Sequence, residues 1–197
     1  MSETGTRAQA RQPRPMRADA KRNRTRLLEE AAAAFAEHGA DDVSLEEIAR
    51  RAGVGIGTLY RHFPTRQALL EAVYTDQVES LSARAAELLS AESPGDALAE
   101  WMRAMVRFSS TKRNMTTALV ATLGTDSELL SSCARQIKGA AGALLTRAQQ
   151  AGVVRPDADP QDLIRLVHAI NIATERAPDP RQAERMLDLI LDGLRVQ

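Results

Sequence analysis

Between Val43 and Tyr74 the chain reads VSLEEIARRAGVGIGTLYRHFPTRQALLEAVY. Its small and donor-bearing residues are spaced for one chemistry: hydrogen bonding to anionic oxygens around a closely approached surface. Gly55, Gly57 and Thr58 carry little side chain, so the backbone there can come near base edges and thymine methyl groups. Tyr60, Arg61 and His62 follow and supply donors of the kind that hold backbone phosphates. Pro64 stops the helix, Thr65 can cap the next one, and Arg66 stands at an N-terminus where free N–H groups favour an anion.

The elements that position these groups follow from the same stretch. Ser44 and Glu47 have the spacing of a capping box, each side chain closing a free N–H at a helix start. A short helix over Leu45–Ala52 turns its apolar residues, Ile48 among them, to one face. Gly53 supplies the sharp turn, Val54 anchors it, and a second short helix runs from about Ile56 to His62. Two short helices joined by a three- to four-residue glycine turn have helix-turn-helix spacing.

These residues closely resemble the TetR family of transcriptional repressors. Ala49, Gly53, Val54, Gly57, Thr58, Leu59, Tyr60, His62, Phe63, Pro64, Arg66 and Leu69 match the family's pattern, and the similarity extends over roughly residues 20 to 75. The resemblance implies phosphate contacts from Tyr60, His62 and Arg66, and places Ile56, Gly57 and Thr58 against the bases. One departure is Gly55, where the family commonly has a Ser or Thr cap; glycine is a weaker cap and brings no hydroxyl.

Charge supports the same partner once it is divided along the chain. The 197 residues hold 26 Lys+Arg and 26 Asp+Glu, but residues 1–66 are +3 and the remainder −3. From Arg7 to Arg26 there are eight basic residues and one acid, Asp19. Residues 1–16 are expected to be a flexible basic arm, and Arg17, Lys21 and Arg22 to touch phosphate from the start of the first helix. The full set expected at DNA adds Ser44, Gly55, Ile56, Gly57, Thr58, Tyr60, Arg61, His62, Thr65 and Arg66.

Other function classes lack their parts. Cys133 is the single cysteine, and His38, His62 and His168 lie far apart, so no metal site is expected. No nucleophile–base pair or glycine-rich phosphate loop points to an enzyme, and no cofactor is expected. No apolar run approaches a membrane span, and a cytoplasmic location is the expectation.

Helix formers dominate, aromatics are 3%, and the apolar residues recur at helical spacing, which predicts an all-α fold of about nine helices. The expected organisation is a helix-turn-helix domain over 17–64 and a helical effector-binding and dimerisation domain over 65–197. In the latter, the apolar Trp101, Met102, Met105 and Phe108, then a separate helix with Met115 and Leu119, suggest a ligand cavity with polar handles at Cys133, His168 and Asn171; Thr116 and Thr117 add hydroxyls. A packed core without ligand is the alternative reading. Residues 114–171 resemble the SbtR-type version of the family's C-terminal domain. That resemblance implies a homodimer formed by the last two helices, through Leu163, Val167, Ile170, Leu187, Ile190, Leu191 and Leu194. It also implies a repressor that grips a pseudo-palindromic operator and is released by a small molecule. An activator, or a DNA binder without an effector, fits the DNA-reading residues equally well.

Overall fold

The computed structural model describes residues 14–39, 42–175, 179 and 181–196, with backbone alone for 14–17 and 110–114. Eight helices account for most of the described residues. They are α1 (Arg14–His38), α2 (Leu45–Arg51), α3 (Ile56–His62), α4 (Arg66–Leu88), α5 (Pro94–Leu123), α6 (Glu128–Gln150), α7 (Pro160–Thr174) and α8 (Gln182–Leu194). An isolated antiparallel bridge joins Val154 to Arg195.

Helix starts are fixed by side chains. The hydroxyls of Ser44 and Thr65 each accept from the N–H three residues on, at 3.0 Å. Ser93 caps α5 through Asp96 N–H, and Asp159 caps α7 through Gln161 N–H, each followed by a proline at the first helical position. The capping box at Ser44 is half formed. Glu47 does not return a bond to Ser44; its carboxylate accepts from Arg50 and Arg51, and Arg51 reaches on to Glu37 of α1 at 2.9 Å. A bidentate guanidinium contact outcompetes a single backbone N–H for the same oxygens.

Two boundaries differ from the sequence reading. α1 begins at Arg14, inside the stretch expected to be arm, because Pro15 is tolerated in a first helical turn. Residues 1–13 of that arm lie outside the described residues. The separate helices expected around Phe108 and Met115 are one, since α5 runs unbroken from Pro94 to Leu123. Nothing between them is Gly or Pro, and the helix continues through the polar residues there.

One apolar core runs through both halves of the chain. In the N-terminal part, Leu27, Ala31 and Phe35 of α1 pack with Ile48, Leu59 and Phe63. α4 then carries a buried stripe of Leu70, Val73, Tyr74, Val78, Leu81, Ala85 and Leu88 into the C-terminal part. It is tied at both ends. Arg66 Nη2 donates to the Val43 carbonyl at 2.5 Å, just ahead of α2. Trp101 Nε1 donates to Leu81 O at 3.1 Å, and Arg147 donates to the carbonyls of Leu88 and Ala91.

Candidate nucleic-acid interface and ligand cavity

α2 and α3 are joined by Ala52–Gly55, with Gly53 at φ 66°, a left-handed conformation that side chains strain to adopt. Val54 N–H bonds back to Ala49 O at 3.0 Å, which closes the turn and presents α3 at the surface. Gly55 caps α3 with no side-chain bond. A Cβ built at Gly55 or Gly57 would meet nothing within 4 Å, so neither glycine is required by packing within the chain.

Tyr60 is 45% exposed, and Arg61 is exposed but folded back, its Nε on Gly57 O and its Nη2 on Thr58 Oγ1 at 3.0 Å. His62 is half-buried beside Phe63. Ile56 is half-buried against the helical core, so only part of it is open to a base. Ser44 and Thr65 spend their hydroxyls on capping. Arg66 is half-buried and tied to Val43 O, which gives it a structural task that its position in the motif did not reveal.

On α1, Lys21 is exposed, Arg22 pairs with Asp19, and Arg26 bonds Asn23 at 2.6 Å. The Arg24 guanidinium lies 5.7 Å above the Phe63 ring, joining α1 to the end of α3. The side chain of Arg17 lies outside the described residues. α1 and α3 therefore carry exposed Lys, Arg and Tyr donors, and α3 has a small-residue front. Arg51 holds the Glu37 carboxylate, and Arg50 together with Arg51 the Glu47 carboxylate, below the usual range, and the Arg51 pairs brace α1 against α2.

Away from that surface, α4–α7 line a half-open cavity of about 730 Å³. Of the residues expected to line it, Met105, Phe108, His168 and Asn171 are on its wall, together with Thr116 and Thr117. Trp101, Met102, Met115 and Leu119 are not; they are fully buried core, with the Trp101 indole committed to Leu81 O. Cys133 is buried next to Tyr74, behind the wall. The helical period groups Trp101, Met102, Met105, Phe108, Met115 and Leu119 on α5, and a stripe does not say where the neighbouring helices part.

The wall also has members the sequence reading passed over: Tyr74, Ser109, Ala134, Ile137, Gln161, Ile164 and Ile172. Tyr74 carried a signal, being the one polar-tipped residue in the buried stripe of α4. Burial and the neighbouring Cys133 thiol raise its phenol above the ordinary value, partly offset by a hydrogen bond with Thr116. Part of the His168 ring is open at the cavity mouth, and the packing around the rest lowers its pKa, favouring the neutral imidazole.

The expected dimer residues are placed differently from the sequence reading. Leu163, Val167, Ile170, Leu187 and Leu194 are buried within the single chain, and Ile190 and Leu191 are half-buried. The outward apolar residues are Leu166 and Ile172 of α7, 39% and 65% exposed, and Leu189 of α8, 73% exposed. Both helices are apolar on two sides, and the buried stripe is the one that the core takes.

No helix among the described residues is long and apolar enough to cross a membrane, and no group of metal-binding side chains occurs among them. Comparison with known proteins agrees with this geometry. Residues 27–73 match the bacterial regulatory proteins of the tetR family, and residues 93–196 match the SbtR-like transcriptional regulator C-terminal domain. A TetR transcriptional regulator of Streptomyces coelicolor is 38% identical over 87% of this chain and 98% of its own, with a TM-score of 0.79. A TetR transcription regulatory protein of Mycobacterium vanbaalenii is 43% identical, covering 92% of this chain and all of its own, with a TM-score of 0.75. An HTH-type transcriptional regulator of Staphylococcus aureus (strain USA300) is 48% identical over 54 residues, which span 29% of that protein and 27% of this one. With a reading head on α1–α3 and both of its parts matched, the chain belongs to the TetR family of bacterial transcriptional regulators and binds DNA, and it is not an enzyme.

Proposed function

We propose that the chain is a ligand-responsive repressor that binds a pseudo-palindromic operator as a homodimer in the cytoplasm. α3 enters the major groove front first, with Gly55, Gly57 and Thr58 against base edges and Tyr60, His62 and Arg61 on the flanking phosphates. Lys21, Arg22 and the basic stretch ahead of them add phosphate contacts from α1. Two such heads reach successive grooves about 34–36 Å apart.

The observation that carries the ligand response is that α4 belongs to both sites. Arg66 ties its start to the loop before α2, and Tyr74, about 12 Å further along at the helical rise, stands in the cavity wall. Trp101 holds the helix at Leu81, about 10 Å beyond Tyr74. A ligand that shifts Tyr74 about that fixed point moves Arg66 by roughly twice as much, because the arm to it is about 22 Å. The ligand must favour the shifted arrangement energetically, since equal affinity for both would move nothing.

Tyr60→Ala tests the head directly, because the side chain is exposed and no fold contact depends on it. Operator affinity, measured by fluorescence anisotropy on duplexes flanking the gene, should fall about three- to tenfold, the worth of one polar phosphate contact. Helicity and oligomeric state should not change. Unaltered affinity would remove Tyr60 from the interface. In vivo, derepression of the flanking genes on deleting the regulator distinguishes a repressor from an activator.

A further inference from the structure

One hydroxyl in the cavity wall is idle. Ser109 Oγ is shut off from solvent and has no hydrogen-bond partner among the described residues. Other helical hydroxyls in the chain behave differently. Thr75 and Ser82 of α4, Thr122 of α5 and Thr174 of α7 each donate to the carbonyl four residues earlier, at 2.9 to 3.0 Å. The corresponding acceptor for Ser109 is Met105 O on the same helix, and that bond is not made. A buried O–H without an acceptor is a standing cost in the empty protein, and Ser109 itself borders the cavity, so that one turn about χ1 would bring the hydroxyl round to it.

The described part of the wall is uncharged. None of its described residues is Asp, Glu, Lys or Arg, and the sequence of α5 from Met105 to Thr117 contains no acid. Met105, Phe108, Ile137 and Ile164 form its apolar part. Asn171 commits its Nδ2 to Val167 O at 3.0 Å, which leaves its carbonyl oxygen as an acceptor. A cationic ligand would leave its hydration behind and meet no carboxylate.

We propose that the cavity takes an uncharged amphiphile, an apolar body bearing an ester, lactone or ketone oxygen that accepts from the Ser109 hydroxyl, and that it rejects organic cations. This rests on the cavity being the effector site. Asn171 supplies the second handle, accepting from a hydroxyl on a ligand that carries one. The Ser109 hydroxyl finds its acceptor only when the ligand is in place, so the bond appears in full as binding preference.

The test uses the full-length protein with N-phenyl-1-naphthylamine as a neutral fluorescent reporter. Ten-carbon competitors displace it: γ-decalactone, decanoate and decyltrimethylammonium. The lactone should displace the reporter at about tenfold lower concentration than the cation. Ser109→Ala should weaken the lactone about three- to tenfold while leaving reporter uptake unchanged and the melting temperature of the empty protein equal or higher. Ser109→Thr should restore lactone binding. Equal or better competition by the cation or by decanoate, or a Ser109→Ala variant that binds lactone as wild type does, overturns the assignment while reporter uptake upholds the cavity as a ligand site. Absence of both reporter uptake and any lactone-induced thermal shift overturns the cavity reading, and this inference with it.

Discussion

Gly57 sits inside a seven-residue helix, where it costs conformational entropy and packs against nothing of its own chain. Alanine there would fit, with open space around its Cβ. Packing within the chain therefore does not require the glycine, and in the proposed complex the missing methyl leaves room for the base edge that α3 faces. Gly57→Ala should raise unfolding stability by roughly 0.5 kcal/mol in urea titrations. It should weaken operator binding in the same preparation. A variant that is more stable and equally tight would mean that the groove leaves room for a side chain at this position. Arg61 and Thr58 present the opposite case, since they occupy each other in the free protein and must part before either can read DNA.

Among the elements, α4 explains most about how the parts communicate. Its C-terminal carbonyls are closed by Arg147 from α6, a half-buried guanidinium reaching Leu88 O and Ala91 O. Arg147→Met keeps the apolar stem and removes those bonds. The loss of stability should be about 1–3 kcal/mol, read from urea midpoints, because two helix-end carbonyls lose a charged donor. A change within a few tenths would show that solvent satisfies them equally well. The helix starts were legible beforehand at Ser44 and Thr65 because caps are local chemistry, settled within three residues. Glu47 was not, since its rival partners include Arg51, which also reaches Glu37 of a different helix. Nor was the cavity wall. Met102 and Met105 share one stripe of α5 and are both almost wholly buried, yet only Met105 is on the cavity wall, which depends on how the neighbouring helices pack.

For the whole molecule, the outward face of α7 and α8 is where a second copy is proposed to dock. Leu189 stands exposed with Gly193 one turn along, and a Cβ at Gly193 would meet nothing within the chain. A partner helix can approach closely there. Leu189→Arg should yield a folded monomer in analytical ultracentrifugation with weakened operator binding. Leu187→Arg, by contrast, should unfold the chain, since that residue is 1% exposed. A Leu189→Arg dimer as stable as wild type would move the interface elsewhere. Sequence periodicity could show that these helices were apolar on two sides, and it could not say which side the core would claim.

α4 also bears on how such regulators can be recombined. The DNA-reading motif ends near Pro64, and a graft would naturally be cut there. Yet α4 packs on α1 as well as on α5 and α6, and Arg66 reaches back to Val43. A head exchanged at residue 64 would meet a foreign helix at its own core, and a junction in the Ser90–Ser93 turn would move the mismatch to the more extensive packing of α4 on α5 and α6. Neither cut leaves α4 with its own surface on both sides, so a traded head has to bring matching residues on the face of α4 that it meets.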